Sequence, residues 1–175
     1  RNILSLVFIT FSLSVSSKTV IHAGNLFDSE NGIVQPQMSI FIEEDIIADV
    51  VEGYVNPEPD DTYIDLTGYF ILPGLIDMHV HLTNHSSSRA YLERTTLNAA
   101  DYAIRATMNA KKTLLAGFTT VRNLGGSDTV TISLRNAINS GIASGPRIFS
   151  SGKTISSTGG HGDSTNSLNQ NFTSD

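Results

Sequence analysis

The chain has 175 residues, 39% of them hydrophobic and 16% charged, with no Cys and no Trp; this composition belongs to a globular protein and excludes collagen, coiled coil and wholesale disorder. Its 17 acidic residues against 11 basic ones give a formal charge of -6, and no block of Lys and Arg offers the clustered charge that nucleic-acid backbone binding needs. Without cysteine there is neither a disulfide framework nor a thiolate metal site, so metal chemistry falls to the 5 His and the carboxylates.

Residues 1–17 read as an export signal. Arg1 and Asn2 precede an apolar run, ILSLVFITFSLSV, which is followed by Ser16 and Ser17. A positive start, about 7–15 apolar residues and small residues after them are the pattern of a secretory leader. The run is shorter than the roughly 20 residues of a membrane span. The protein is therefore expected to be exported, periplasmic or secreted, and not anchored.

Residues 18–70 form short β-like segments. Thr19, Val20, Ile21 and His22 make a β-branched run that Ala23, Gly24 and Asn25 are expected to close. Residues 39–42 and 46–51 flank the acidic turn Glu43-Glu44-Asp45 and predict a hairpin. Pro57 and Pro59, set among acids, stop any strand there, and Tyr63 to Leu66 alternates before Gly68. The expectation is a small β-sandwich without catalytic groups.

From Ile71 the period changes. Residues 75–82 predict a buried strand. Residues 96–116 predict a helix, with Leu97, Ala100, Ile104, Met108 and Leu115 near one face and Gly117 as its stop. Residues 119–124 predict a second strand, ended by Gly125-Gly126. A second helix follows, capped by Asp128, with Val130, Leu134 and Ile138 on one face and Gly141 at its end. Residues 147–150 predict a third strand. Strand and helix in alternation make a parallel sheet with helical crossovers, the α/β class. A closed (β/α)8 barrel takes about 250 residues, and residues 71–175 suffice for three strands and two helices. The expected architecture is therefore a partial TIM-like (β/α)8 barrel over residues 71–175, truncated after its first three strands and two helices, following the small sheet domain and the signal segment.

One constellation carries chemistry: Pro73-Gly74-Leu75-Ile76-Asp77-Met78-His79-Val80-His81. Side chains alternate across a strand, so His79 and His81 project from the same face with Cα atoms about 6.6 Å apart, near enough to converge on one ion. Ile76, Met78 and Val80 take the apolar face that helices would cover. Asp77 lies on the histidine face one step deeper, placed to orient a ligand or to fill the polar floor of a barrel.

The segment PGLIDMHVHL, residues 73–82, resembles the first-strand metal motif of the amidohydrolase superfamily. GFTTVR (117–122) with Gly125-Gly126 resembles its second strand and turn. GPRI (145–148) through GGHGD (159–163) resembles the third strand and loop of the branch that holds imidazolonepropionase-like enzymes and exported Xaa-Pro dipeptidases, or prolidases. The resemblance implies a binuclear hydrolase of amide-type C–N bonds, with two Zn²⁺ ions in the whole protein. His79 and His81 take the more buried metal, which lowers the pKa of a bound water to about 7. It also implies that the bridging Lys, two further His and the Asp general base lie downstream, so that no catalytic residue falls within these 175. Lys111, Lys112 and Lys153 do not stand at the end of a fourth strand. Asn123 occupies the position where related sequences commonly carry Asp.

Other side chains are weaker candidates. His161, between glycines in the GGH element, is placed to touch substrate or to stand in a solvated loop, with Asp163 beside it. Arg122 is placed to meet a substrate carboxylate or to pair with a neighbouring acid. His85 reads as an exposed loop residue and His22 as structural. The expected partner is a small molecule or dipeptide. Three functions stay open: a dipeptidase of the Xaa-Pro type; a cyclic-amide or imidazolone hydrolase, or a deaminase, of the same superfamily; and a non-catalytic secreted metal-binding domain.

Overall fold

β-Branched and apolar residues at alternate positions build the first sheet of the protein. A computed structural model describes residues 17–84, 86–126 and 129–163, without the side chains of Tyr91 and Arg94. The proposed signal segment falls almost wholly outside the described residues. The chain divides into two units, the first ending at Pro73 and the second starting at Gly74.

The first unit holds β1 (Thr19–Asp28), β2 (Ile33–Glu43), β3 (Ile46–Glu52) and β4 (Thr62–Ile71) in the order β3-β2-β1-β4. β2 pairs with both β1 and β3 antiparallel, and β1 pairs with β4 parallel. The β2–β3 hairpin forms over the acidic turn, where Glu44 adopts a φ of 55°. Strand β1 does not close at residues 23–25. Its register against β4 shifts between Ala23 and Asn25, and a Cβ at Gly24 would run into the Thr67 carbonyl oxygen. Gly24 thus permits a close approach of backbones and does not mark a strand end. Ala23, Met38 and Ile40 are buried, with Ile21, Leu26, Ile42 and Ile71 packed on them. All four strands join one ladder, so among the described residues this unit is a single sheet and not the expected sandwich. Alternation reveals which face of a strand is apolar, but not how many layers cover it.

The second unit runs β5 (Leu75–Val80), α1 (Ala90–Thr96), α2 (Ala99–Leu115), β6 (Phe118–Asn123), α3 (Val130–Asn139) and β7 (Arg147–Ser150). Its sheet is parallel, in the order β5-β6-β7, as the strand–helix alternation predicts. Leu82, Ala106, Ala110, Val121, Val130, Leu134 and Ile148 form the core. Helix α3 buries Val130 and Leu134 and packs Ile138 against them, as its spacing predicts. Its N-cap is Thr129, with no side-chain capping bond, and the predicted cap Asp128 lies outside the described residues.

The helix predicted over 96–116 forms as α2, and Asn98 is its N-cap, whose side chain accepts from the backbone N–H groups of Ala100 and Asp101 in a reciprocal capping box; α1, before it, carries no sequence signal. Two expectations are corrected here. Helix α2 turns a different face inward. Ala106 and Ala110 are fully buried, whereas Ile104 and Leu115 are 75% and 76% exposed. Small side chains let the helix axis approach the sheet closely, and this outweighs the larger apolar stripe one step round. Strand β5, in turn, is not buried: Ile76 and Met78 are 61% and 54% exposed, and only Val80 of that face reaches the core. No helix among the described residues is long and apolar enough to cross a membrane.

Candidate metal-binding site

Strand β5 ends at Val80, and His81 is the first residue beyond it. The imidazole rings of His79 and His81 lie 5.3 Å apart between centroids, inclined at 68°. Alternation along an extended segment thus brings both to one side, and Zn–N bonds of about 2.0–2.1 Å allow two rings so spaced to meet one ion. His79 is exposed and His81 half-buried.

The ring of His81 is oriented by its surroundings. Its Nδ1 lies 3.1 Å from the Gly125 carbonyl oxygen. A carbonyl only accepts, so Nδ1 carries the hydrogen and Nε2 keeps the lone pair that a metal requires. Gly125 belongs to the turn after β6, and a Cβ there would collide with the Thr154 side chain, so the turn is held against the segment that follows β7. Asn123, the last residue of β6, is fully buried. Its Oδ1 accepts from the Leu82 N–H at 2.8 Å, and its Nδ2 donates to the Gly125 carbonyl at 2.9 Å. On α2, Asn109 donates to the carbonyls of Leu82 and Asn84 at 2.8 and 3.2 Å, which ties the loop after His81 to the helix.

Asp77 is half-buried, and its Oδ1 accepts from the backbone N–H of His79 at 2.9 Å. It braces the strand where the pairing of β5 with β6 shifts register, between Asp77 and Val80. Arg122 is exposed and donates from Nε to the Met78 carbonyl at 2.8 Å, just before His79. With Arg135 and Arg147 it lines an open hollow of about 600 Å³ along β7. His161 is exposed in a turn, closed by Asp163, whose backbone N–H donates to the Gly160 carbonyl and whose Oδ2 accepts from the Gly159 N–H. His85 lies outside the described residues. Among those described, no three His, Asp or Glu side chains gather into a complete metal site.

The sequence carries one signal for Asn123 as a positioning group. With period 2 it shares the face of Val121, and a polar residue on an apolar strand face must find internal partners. For Asn109, within a helix, no such signal exists.

These motifs and this parallel unit coincide with a match to the amidohydrolase family over residues 70–172. The chain belongs to the amidohydrolase family. A solved Xaa-Pro dipeptidase with methionine bound in its active site is 46% identical to this amidohydrolase chain, with a TM-score of 0.81 over 89% of this chain and 38% of that one. A prolidase complexed with N-methylphosphonate-L-proline is 37% identical, with a TM-score of 0.71 over 84% of this chain and 35% of its own. Ochratoxinase of Aspergillus niger is 28% identical over 153 residues, 83% of this chain and 30% of the relative. The chain therefore spans only 30–38% of the length of these proteins.

Proposed function

We propose that this amidohydrolase-family chain forms the first part of a metal-dependent hydrolase that cleaves an amide-type C–N bond in dipeptides of the Xaa-Pro type. The observation that carries the reading is the convergence of His79 and His81, with the His81 Nδ1 committed to the Gly125 carbonyl. The 46% identity to an Xaa-Pro dipeptidase supports the substrate class.

In this reading His79 and His81 hold a divalent cation, zinc by donor chemistry. The donor set fits: two neutral imidazoles on one side of an extended segment, one with its outer nitrogen left free by a backbone bond. When bound, the ion supplies Lewis acidity and activates water. The protein's own groups position it: the Gly125 carbonyl orients His81, Asp77 braces the backbone of His79, and Arg122 staples the strand at Met78. The guanidinium groups of Arg122, Arg135 and Arg147 give the hollow along β7 the charge to receive a substrate carboxylate, and His161 offers a further contact to substrate. Two imidazoles fill half a tetrahedral shell. The remaining ligands of this ion, the ligands of a second zinc and the general base are, in this reading, supplied by residues outside these 175, and the 175-residue chain alone is inactive. The protein acts after export, residues 1–17 serving as its leader.

The test is proline release from Xaa-Pro dipeptides by the chain carried in a polypeptide of its relatives' length. Chelation should abolish release and zinc restore it. His79→Ala and His81→Ala should each lower kcat/KM by at least about 100-fold, since even outer-shell partners of a metal are worth 10–100-fold. Undiminished release from the double variant would overturn the metal assignment. Turnover of lactams or cyclic imides, with dipeptides left intact, would overturn the substrate class.

A further inference from the structure

We infer that Asn123 is a positioning residue that fixes which nitrogen of His81 faces away from the protein, acting through the Gly125 carbonyl. Its importance for metal binding rests on the reading of His81 given above, but the orientation itself does not.

Asn123 is buried completely, on the same face of β6 as Val121. Burying an amide is costly unless both its ends are satisfied, and here each end finds a different segment. The identities of oxygen and nitrogen follow from the partners: the Leu82 N–H can only donate, so Oδ1 faces it, and the Gly125 carbonyl can only accept, so Nδ2 faces that. Leu82 is the residue immediately after His81. The side chain of Asn123 thus holds the backbone just beyond His81 with one end and the carbonyl that receives the His81 ring with the other. Its own backbone carbonyl accepts from the Ser151 N–H at 3.0 Å, which anchors it to the end of β7. The Gly125 oxygen takes two donors, Asn123 Nδ2 at 2.9 Å and His81 Nδ1 at 3.1 Å, one for each lone pair. Removing Asn123 frees this carbonyl to turn, and His81 Nδ1 then loses its fixed acceptor.

A carboxylate at this position separates the two ends. Aspartate can still accept from the Leu82 N–H, but it has no hydrogen for the Gly125 carbonyl and repels it. Asn123→Asp therefore keeps the tie to the β5 end and breaks the link to the turn. A residue that merely glued segments together would, on replacement, disturb His79 and His81 alike or neither; a positioning residue disturbs His81 alone.

Long-range ¹H–¹⁵N spectra of the 175-residue chain, recorded where imidazoles are neutral, read this directly. In the unaltered chain His81 should show one tautomer, hydrogen on Nδ1. In Asn123→Asp and Asn123→Ala that single state should be lost to an averaged pair, with the His79 signals unmoved and the backbone amide spectrum otherwise retained. Persistence of the Nδ1–H tautomer in both variants would overturn the inference. Should both variants unfold, the unaltered chain decides alone: hydrogen on Nε2, or an averaged pair, refutes the orientation. Zinc added to the same sample keeps the two readings apart. If zinc moves neither histidine while the tautomer result holds, the metal assignment fails and the role of Asn123 stands.

Discussion

His22 and His81 hold opposite tautomers because their partners differ. His22 donates from Nε2 to the Val55 carbonyl at 2.9 Å, and its Nδ1 accepts from the Tyr63 hydroxyl at 3.0 Å. Its ring stacks on Tyr54 with centroids 4.8 Å apart. Both nitrogens are used, so His22 is structural, as its place in a strand suggests. Tyr63→Phe leaves Nδ1 without its donor and should lower the stability of the sheet unit by about 1 kcal/mol in urea unfolding. Acid acts on neighbouring groups. The Asn31 side chain and backbone hold the Asp28 carboxyl below its ordinary pKa, and the Thr67 backbone N–H does the same for Asp65. A lowered native pKa contributes stability above the unfolded value, lost as pH falls through the native one. The urea midpoint should therefore decline below about pH 4, and Asp28→Asn with Asp65→Asn should flatten that decline. At this scale the histidine pair was legible, because period 2 alone puts His79 and His81 on one side. The role of Asn123 was legible only in part: its place on the face of Val121 calls for an internal partner, but Leu82 is 41 positions away in the chain, and nothing local names it.

Among the elements, α2 shows why helical spacing can find a helix and miss its inner face. Ile104, Met108 and Leu115 mark the larger apolar stripe, but Ala106 and Ala110 are the residues at the sheet. Ala106→Leu or Ala110→Leu should cost about 1–3 kcal/mol by overpacking, whereas Ile104→Ser should stay within about 0.5 kcal/mol; thermal unfolding followed by circular dichroism compares them. Equal effects from both kinds of substitution would contradict the observed face. The strands β6 and β7 and helix α3 were readable because β-branched runs, glycine stops and a coherent apolar face agree with one another. Helix α1 escaped notice because its seven residues carry no apolar period; an ion pair from Arg105 to Glu93 at 2.8 Å links it to α2. Strand β5 was readable as a strand but not in its exposure, since burial depends on which elements pack over Ile76 and Met78.

For the molecule as a whole, the alternation of strands and helices predicted a parallel α/β unit, and the family match over residues 70–172 agrees with the motifs that suggested it. The number of layers in the first unit was beyond the sequence, because two strands of one sheet and two facing strands share the same alternating pattern. The candidate site was legible in the local pair His79 and His81, and not in the groups that reach it from other elements, the Gly125 carbonyl and the side chains of Asn123 and Asn109. The proposed function requires His79 and His81 to hold one metal ion together. X-ray absorption on the zinc-loaded 175-residue chain tests this most directly. The expected result is two imidazole nitrogens at about 2.0–2.1 Å, the remaining positions filled by oxygen, and loss of the imidazole signature in the His79→Ala, His81→Ala double variant. An imidazole shell that survives both replacements, or zinc that binds without any imidazole in the unaltered chain, would contradict it.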